Sequence, residues 1–209
     1  IDTSHLRTVS VPTGRAFINV DSHGENAIVV VAGANAQVGF EDKFVIPNSR
    51  VVLAQLEVPL ETIEMAFTQA RSNGAVTVLN PAPARDIPAS LLSLANIVVP
   101  NETESVAIGG TKQLLQSGVA TVVTTLGADG ASIDTASSTT HIAPYKVTPV
   151  DTVGAGDAFI GATCAELSRG SSIEDAARMG AIAGALATTV KGAVPSLPTR
   201  QAVLAAQKS

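Results

Sequence analysis

Residues 151–159 read Asp-Thr-Val-Gly-Ala-Gly-Asp-Ala-Phe, and a helical pattern follows them. Gly154 and Gly156 allow a sharp backbone turn, and the free N–H groups at the start of the next helix favour an anion. The spacing to Gly161 does not fit the dinucleotide-binding Gly-x-Gly-x-x-Gly motif, and the sequence contains no Gly-x-x-x-x-Gly-Lys-Ser/Thr loop. The alternative is an ordinary loop-to-helix turn that Asp157 caps.

Outward from this stretch, short apolar runs alternate with helical patterns. The runs favour strands and occupy residues 51–56, 76–79, 97–99 and 119–126. The helical patterns lie at residues 59–71, 111–116 and 173–190. Strands that are apolar on both faces and separated by helices are typical of a parallel sheet covered on both sides, and such sheets bind ligands at the carboxyl ends of their strands. The sequence therefore predicts an α/β fold of three layers, α/β/α, around a mostly parallel sheet.

Two β-hairpins are predicted beside these strands. The first joins residues 15–20 to 27–32, and the second, expected to be exposed, joins residues 131–133 to 141–143. Between the predicted strands 97–99 and 119–126, only a short segment is convincingly helical. A crossover between parallel strands normally needs a dozen or more residues, so we expect a thin helical layer at this point.

The composition limits the kinds of partner. The chain has 209 residues, of which 45% are hydrophobic, and 13 Lys+Arg oppose 18 Asp+Glu for a net charge of −5. Because nucleic acids and anionic membranes are bound chiefly through clustered Lys and Arg, a small molecule is the better prediction. The longest uncharged apolar stretch, residues 181–190, is too short to span a bilayer.

Cysteine and histidine give no sign of a disulfide or a metal site. The single cysteine, Cys164, allows no intrachain disulfide and is predicted to be a buried small hydrophobe in a protein of the reducing cytoplasm. His5, His23 and His141 show no metal-ligand spacing, so we place them on the surface.

Asp151 and Asp157 lie six residues apart across the glycine turn. One carboxylate could position a cation while the other accepts a proton from an attacking hydroxyl. Phosphoryl transfer needs that division of labour.

Residues 151–159 also resemble the C-terminal signature of the ribokinase-like (PfkB) carbohydrate kinases. Three further stretches are similar to the ribokinases of that family, and they occur in this order: Gly24-Glu25-Asn26-Ala27-Ile28 with Gly33-Ala34-Asn35, Asn80-Pro81-Ala82-Pro83-Ala84-Arg85, and Pro100-Asn101-Glu102-Thr103-Glu104. The resemblance implies a ribokinase-like, Rossmann-like core over residues 36–209. It also implies that residues 15–35 are part of a small β lid and that residues 1–14 lead into it.

The activity implied by the resemblance is the ATP-dependent phosphorylation of a primary hydroxyl of a sugar, with D-ribose as the expected substrate and D-ribose 5-phosphate as the product. Asp157 would be the general base that takes the proton from the hydroxyl. The amides of Gly154, Ala155 and Gly156 would form an anion hole for the transferring phosphoryl group. Glu57 would bind the sugar.

The family's ion and nucleotide sites can be carried over in the same way. The resemblance implies that Asn101 contacts the nucleotide phosphates and that Glu104 organises Mg²⁺ through water. The remaining nucleotide-binding positions would be Thr125, Gly127, Asp129, Gly130, Gly156 and Ala181. A monovalent cation, K⁺, would be held by Asp151, Ser196 and the backbone carbonyls of Val153, Ala187, Val190 and Gly192.

The resemblance further implies a homodimer formed through the β lid. The family's first lid strands and its sugar-holding Gly-Gly-Lys-Gly-Ala-Asn and Asn-x-Asp elements are absent from this sequence, so we expect a chain that lacks the family's N-terminal segment. Two alternatives stay open: a related sugar or nucleoside kinase, and a truncated chain that binds ATP without kinase activity. A nucleotide-linked oxidoreductase is disfavoured by the glycine spacing.

Overall fold

Two β-sheets organise the molecule, whose computed structural model describes residues 2–3, 6–20, 26–39 and 46–208. Strands β1 (Arg15–Val20) and β2 (Asn26–Val31) form a two-stranded antiparallel sheet. The second sheet contains, in spatial order, β3 (Val51–Gln55), β4 (Val76–Asn80), β5 (Ile97–Val98), β6 (Thr121–Thr125), β7 (Ala131–Asp134) and β8 (Thr139–Ile142). Strands β3 to β6 are parallel, and β7 and β8 are antiparallel to their neighbours. The prediction of a mostly parallel sheet is confirmed.

Helices cover both faces of the larger sheet. They are α1 (Leu60–Ser72), α2 (Ala89–Leu94), α3 (Glu102–Ala107), α4 (Gly110–Gln116), α5 (Ala155–Ser168), α6 (Ile173–Ala187), α7 (Ala193–Ser196) and α8 (Arg200–Ala206). Because side chains alternate along a strand, neighbouring residues of β4 enter different cores. Leu79 packs in a cluster with Phe67 of α1, whereas Val78 packs with Phe159 of α5. The three-layer α/β/α arrangement predicted from the sequence is therefore present.

The helical layer between β5 and β6 differs from the prediction. Two helices, α3 and α4, occupy the segment where only residues 111–116 were expected to be helical. Gly109 separates them with a φ of +97°, which is the left-handed region that glycine tolerates best. Helix α3 has six residues and leaves Val106 exposed, so its sequence carries too little apolar periodicity to predict it.

The expectation of a second, exposed hairpin is wrong in one respect. Strands β7 and β8 do form a hairpin, but β7 pairs with β6 and so belongs to the central sheet. Ala131, Ile133 and Ile142 are buried in the same cluster as Phe159. Only the other face of the hairpin is open to solvent, as the partly alternating burial of β7 shows.

The β1–β2 sheet presents apolar side chains to solvent. Its strands pair with no other strand in the described part of the chain, and Phe17 lies opposite Val29. Phe17, Val29, Val30 and Val31 are each more than half exposed. A two-stranded sheet with an uncovered apolar face is marginally stable on its own, so this hairpin is a candidate contact surface. The turn predicted at residues 21–24 lies outside the described residues.

Helices α5 and α6 make a close contact through small residues. A side chain at Gly180 would meet the hydroxyl of Thr163 and would lie 2.8 Å from the backbone oxygen of Phe159. A side chain at Gly184 would lie 3.1 Å from the backbone oxygen of Ala155. The two glycines therefore let α6 lie against the first turn of α5.

The outer surface of α5 is tied to α8 by a buried carboxylate. Arg200 donates to Glu166 from Nε (2.8 Å) and from a terminal nitrogen (3.3 Å), and Glu166 is buried. The hydrogen bond from Arg200 lowers the pKa of Glu166 below its usual value of 4.5. The ion pair therefore stabilises the fold above that pH, and the contribution is lost as the pH falls through the lowered pKa.

We expect Glu166→Gln to lower the free energy of unfolding at pH 7 by about 1–3 kcal/mol, because the charge-assisted hydrogen bonds to Arg200 are weakened. The difference from the wild type should shrink as the pH falls below 4.5. Urea unfolding at several pH values measures it. The control is Asp175→Asn, which removes the exposed ion pair with Arg178 and should change the free energy by less than about 1 kcal/mol. A difference for Glu166→Gln that does not depend on pH would contradict this prediction.

None of the helices in the described part of the chain is both long enough and apolar enough to cross a membrane. Cys164 is half-buried against the cluster that contains Phe159, and burial raises the pKa of its thiol to about 11. This agrees with its interpretation as a small core hydrophobe. His141 is exposed, as predicted, while His5 and His23 lie outside the described residues.

Candidate active site

The predicted functional residues collect at one edge of the central sheet. Glu57 follows β3, Asn101 follows β5, and Thr125 ends β6. Since β3 to β6 are parallel, their carboxyl ends meet at this edge. An isolated bridge joins Asn101 to Thr125, and the amide of Thr125 donates to the carbonyl of Pro100 (2.9 Å). These two predicted nucleotide-binding residues are therefore neighbours.

A cavity of about 510 Å³ opens beside this edge. It lies between the β6–β7 turn, the segment before the glycine turn, the first turn of α5 and one face of α6. Its lining comprises Thr125, Gly127, Ala128, Gly130, Pro144, Tyr145, Lys146, Val147, Pro149, Thr152, Ala155, Gly156, Phe159, Ala181, Gly184, Ala185 and Thr188. A cavity of this size, mostly apolar with a few polar groups, suits a small-molecule ligand.

The structure brings most of the predicted nucleotide positions together around this cavity. Five of them line it: Thr125, Gly127, Gly130, Gly156 and Ala181. Asp129 does not line the cavity, and its backbone oxygen lies 2.9 Å from Nε2 of His141 on β8. Asn101 does not line the cavity either, but it is paired with Thr125, which does.

The glycine turn places free backbone amides at one end of the cavity. Gly154 has a φ of +81°, and a side chain there would lie 3.2 Å from Cα of Ala193, so the turn requires glycine. The amide of Ala155 donates to the carbonyl of Thr152 (3.2 Å). Within the described residues, the amides of Gly154 and Gly156 donate to no protein group. Together with the start of α5, they form a site suited to an anion.

Asp157 belongs to the same first turn of α5. Its side chain is exposed and lines a second cavity of about 370 Å³, which α5 shares with α6 and α8. Ala155 and Gly156 face the larger cavity. The first turn of α5 therefore carries both a carboxylate that can accept a proton and amides that can bind an anion.

Asn101 and Glu104 form a reciprocal helix cap at the start of α3. The amide of Glu104 donates to Oδ1 of Asn101 (2.7 Å), and the amide of Asn101 donates to Oε2 of Glu104 (2.9 Å). This arrangement is a capping box. Among the described residues, no hydrogen bond or ion pair to the other carboxylate oxygen of Glu104 is present, so that oxygen could bind a cation.

Asp151 connects the glycine turn to the segment after α6. Its carboxylate accepts hydrogen bonds from the amides of Gly192 (2.8 Å) and Val153 (3.0 Å), and its own amide donates to the carbonyl of Thr188 (3.0 Å). The bonds from Gly192 and Val153 hold the pKa of Asp151 below its usual value of 3.8. Ser196, four residues after Gly192, is buried, and its hydroxyl donates to the carbonyl of Ala193 (2.8 Å).

The available ligand atoms fit the two predicted cations differently. The segments 150–153 and 187–196 are in contact through Asp151, and they offer carboxylate, hydroxyl and carbonyl oxygens, which suit a hard cation such as K⁺. No group of three His, Cys, Asp or Glu side chains gathers anywhere in the described ranges. Mg²⁺ commonly takes one or two carboxylates together with water and substrate phosphates, so the single carboxylate of Glu104 still fits it.

Glu57 lines neither cavity. It is exposed just beyond Leu56, whose amide donates to the carbonyl of Ala82 (3.0 Å) and so joins the ends of β3 and β4. The carboxylate therefore lies at the predicted edge of the sheet, open to solvent.

Several cavity-lining residues were not predicted from the sequence. The segment 144–149 carries no motif, and its participation depends on β8 returning the chain to the edge of the sheet. Gly184 and Ala185 are three and four residues after Ala181, so they lie on the same face of α6. Helical periodicity counted from Ala181 could therefore have predicted that they line the cavity.

Comparison with known proteins supplies independent evidence. Residues 1–200 match the protein family described as pfkB family carbohydrate kinase. A ribokinase of Staphylococcus aureus is 41% identical over 221 aligned residues, which cover 97% of this chain and 73% of that protein. The crystal structure of ribokinase from Thermotoga maritima is 33% identical with a TM-score of 0.84, and the match covers 96% of this chain and 71% of that one. A structure of Arabidopsis thaliana ribokinase complexed with ribose and ATP is 30% identical, also with a TM-score of 0.84, over 96% of this chain and 70% of that one.

Proposed function

Because this chain belongs to the pfkB family of carbohydrate kinases, we propose that it transfers the γ-phosphoryl group of ATP to the primary hydroxyl of D-ribose and releases ADP and D-ribose 5-phosphate. One observation carries the proposal: the first turn of α5 presents Ala155 and Gly156 to the 510 Å³ cavity and the adjacent Asp157 to the second cavity. The relatedness to ribokinases supports ribose as the sugar.

The 510 Å³ cavity would hold the nucleotide. Its apolar lining, including Phe159 and Ala181, can contact the base, whereas Thr125 and the turn that follows it can bind polar groups. The phosphates would point towards the start of α5, where the helix dipole and the free amides favour negative charge.

The chemical step needs one proton acceptor and one anion site. The sugar oxygen forms a bond to the γ-phosphorus while its proton passes to the carboxylate of Asp157, and the bond from the γ-phosphorus to the bridging oxygen of ADP breaks. The amides of Gly154 and Gly156 would stabilise the charge on the transferring group, because they need no reorganisation to donate. Positioning and charge stabilisation supply most of the catalysis in such transfers.

Two cations would support this arrangement. Glu104, through water, would hold Mg²⁺, which offsets the phosphate charge when it is bound. Asp151 and Ser196, with the carbonyls of Val153, Ala187, Val190 and Gly192, would hold K⁺ beside the glycine turn. Asp151 already fixes that turn through Val153 and Gly192, so a cation there would act on the anion site through the same segment.

The test of the proposal is ADP release from MgATP with and without D-ribose, in K⁺ and again in Na⁺. We expect turnover that depends on ribose and is faster in K⁺. A folded chain that binds MgADP but releases no ADP with ribose would favour the truncated, nucleotide-binding alternative. Turnover with another sugar or with a nucleoside, and not with ribose, would favour a related kinase of the family.

Filling the 510 Å³ cavity should weaken nucleotide binding. We expect Ala181→Phe to raise the Kd of MgADP by at least about tenfold, because the new ring occupies space that the base would use and a tenfold change requires only about 1.4 kcal/mol. Isothermal titration calorimetry measures the affinity. The matched control is Ala165→Phe, a half-buried alanine of α5 that lines the other cavity, and it should leave the Kd within about twofold. Equal losses in the two variants would contradict the location of the nucleotide.

We also propose that the β1–β2 sheet joins two copies of the chain in a homodimer in the cytoplasm. The exposed apolar side chains of Phe17, Val29 and Val31 lie on one face of this sheet and support the proposal. We expect Val29→Lys to shift the protein from dimer to monomer in sedimentation velocity, while Val106→Lys, at an exposed valine of α3, leaves the distribution unchanged. A monomeric wild type at micromolar concentration would rule out this dimer.

A further inference from the structure

A buried asparagine spans three strands of the central sheet at the active-site edge. Asn80 is the last residue of β4 and is 6% exposed. Its Oδ1 accepts a hydrogen bond from Nε2 of Gln55 (2.9 Å), and its Nδ2 donates to the carbonyl of Val99 (2.9 Å). Gln55 ends β3, and Val99 directly follows β5, so the amide of Asn80 links the ends of both neighbouring strands.

Each partner of Asn80 lies two residues before a proposed functional residue. Glu57 follows Gln55, and Asn101 follows Val99. Main-chain hydrogen bonds support the same junction, since the amide of Val99 donates to the carbonyl of Leu79 (2.8 Å). The amide of Asn80 therefore adds a rigid, planar side-chain link between the strand ends that carry Glu57 and Asn101.

The buried amide of Asn80 is better explained by the arrangement that it imposes on its partners than by its contribution to stability. A buried amide makes only a modest net contribution to stability even when it is hydrogen-bonded, because it exchanges bonds to water for bonds to protein. Val78, two residues earlier on the same face of β4, packs with Phe159, so an apolar side chain would suit this face. A satisfied buried amide instead fixes one arrangement of its partners.

We propose that Asn80 is a positioning residue for the phosphoryl transfer, which sets the end of β3 that carries Glu57 against the end of β5 that carries Asn101. This inference rests on the proposed kinase function. Asn80 acts through Gln55 and Val99 and need not touch either substrate. Reacting groups that are displaced by about 1 Å can lose on the order of 10²-fold in rate, so a loose junction would reduce catalysis strongly.

The same strand supplies a matched control at its opposite end. Thr77 is 0% exposed, its hydroxyl lies 2.6 Å from the carbonyl of Leu94 and 2.8 Å from Oδ1 of Asn96, and its amide donates to the same Oδ1 (2.9 Å). This network is as buried as that of Asn80, but it lies at the amino end of β4. Removing it should reduce stability without displacing Glu57 or Asn101.

The experiment compares Asn80→Leu, Thr77→Val and Gln55→Leu with the wild type, by urea unfolding, by steady-state kinetics with D-ribose and by calorimetric titration with MgADP. We expect Asn80→Leu to lower kcat/KM for ribose by at least about tenfold and to weaken MgADP binding by about fivefold. Thr77→Val should lose comparable stability while both values stay within about twofold. Gln55→Leu, which loosens only the β3 side, should raise the KM for ribose and leave the MgADP affinity unchanged.

Each outcome decides the inference. Equal losses of kcat/KM in Asn80→Leu and Thr77→Val would overturn the inference. If Asn80→Leu does not fold, a Gln55→Leu variant with an unchanged KM for ribose would overturn it instead. A wild type that binds MgADP but phosphorylates no ribose would refute the proposed function, and the nucleotide titrations would then decide alone. In that case, a loss of MgADP affinity in Asn80→Leu but not in Thr77→Val supports the positioning of Asn101. Equal MgADP affinities of these two variants overturn it. A wild type without MgADP binding refutes both proposals.

Discussion

We expect Asp157→Asn to lower kcat with D-ribose by at least about 10²-fold, because a positioned proton acceptor contributes that much to transfer from a hydroxyl. The amide is nearly isosteric with the carboxylate, so the first turn of α5 should keep its shape. The affinity for MgADP should therefore change little. Steady-state ADP release and calorimetric titration measure the two quantities.

The control for this prediction is Asp175→Asn. Asp175 is the third residue of α6, as Asp157 is of α5, and it is also exposed. Both substitutions remove one negative charge from the first turn of a helix, so their general effect on helix stability should be similar. Turnover of Asp157→Asn within about tenfold of the wild type would refute the role as base, and a comparable loss in Asp175→Asn would assign the effect to helix electrostatics.

The second large effect is expected at the contact between α5 and α6. Gly180→Val should lower the free energy of unfolding by about 2–3 kcal/mol, since the new side chain would collide with Thr163 and with the backbone oxygen of Phe159. The backbone cannot rotate away as a flexible side chain can, so α6 must shift. Because α5 and α6 both line the 510 Å³ cavity, MgADP binding should weaken as well.

Gly161→Ala provides the comparison for this substitution. Gly161 lies on α5, and a side chain there would meet no atom within 4 Å. Alanine is the better helix former, so this variant should gain about 0.5–1 kcal/mol. Urea unfolding of the two variants separates steric overlap from helix propensity. Unchanged stability of Gly180→Val would show that the two helices are not packed this closely.

The strands were predictable because their residues are apolar at consecutive positions, as burial on both faces of a sheet requires. Val78 and Leu79 are adjacent, apolar and buried on opposite faces, which only a sheet covered on both sides can accommodate. The turn before α5 was predictable from Gly154, since few residue types tolerate its φ of +81° before a helix. Local sequence determines both features.

Features that depend on distant contacts were not predictable. The sequence around Ala131 and Ile133 does not indicate that β7 pairs with β6, so the hairpin was predicted to be exposed. The participation of Lys146 in the cavity depends likewise on how β8 returns the chain to α5. The pair Asn101 and Glu104 is a third case, because the sequence pattern that forms the capping box is the same one from which the phosphate and Mg²⁺ roles were predicted.

The carboxylate of Asp151 also bears on how the molecule opens. Its bonds to Val153 and Gly192 connect the segment before α5 to the segment after α6, so the two helices and their connection form a closed loop. Local opening in proteins proceeds in contiguous cooperative units, and a closed loop of packed helices is such a unit. The amide protons of α5 and α6 should therefore exchange with solvent together, and the anion site should be assembled or lost as a whole.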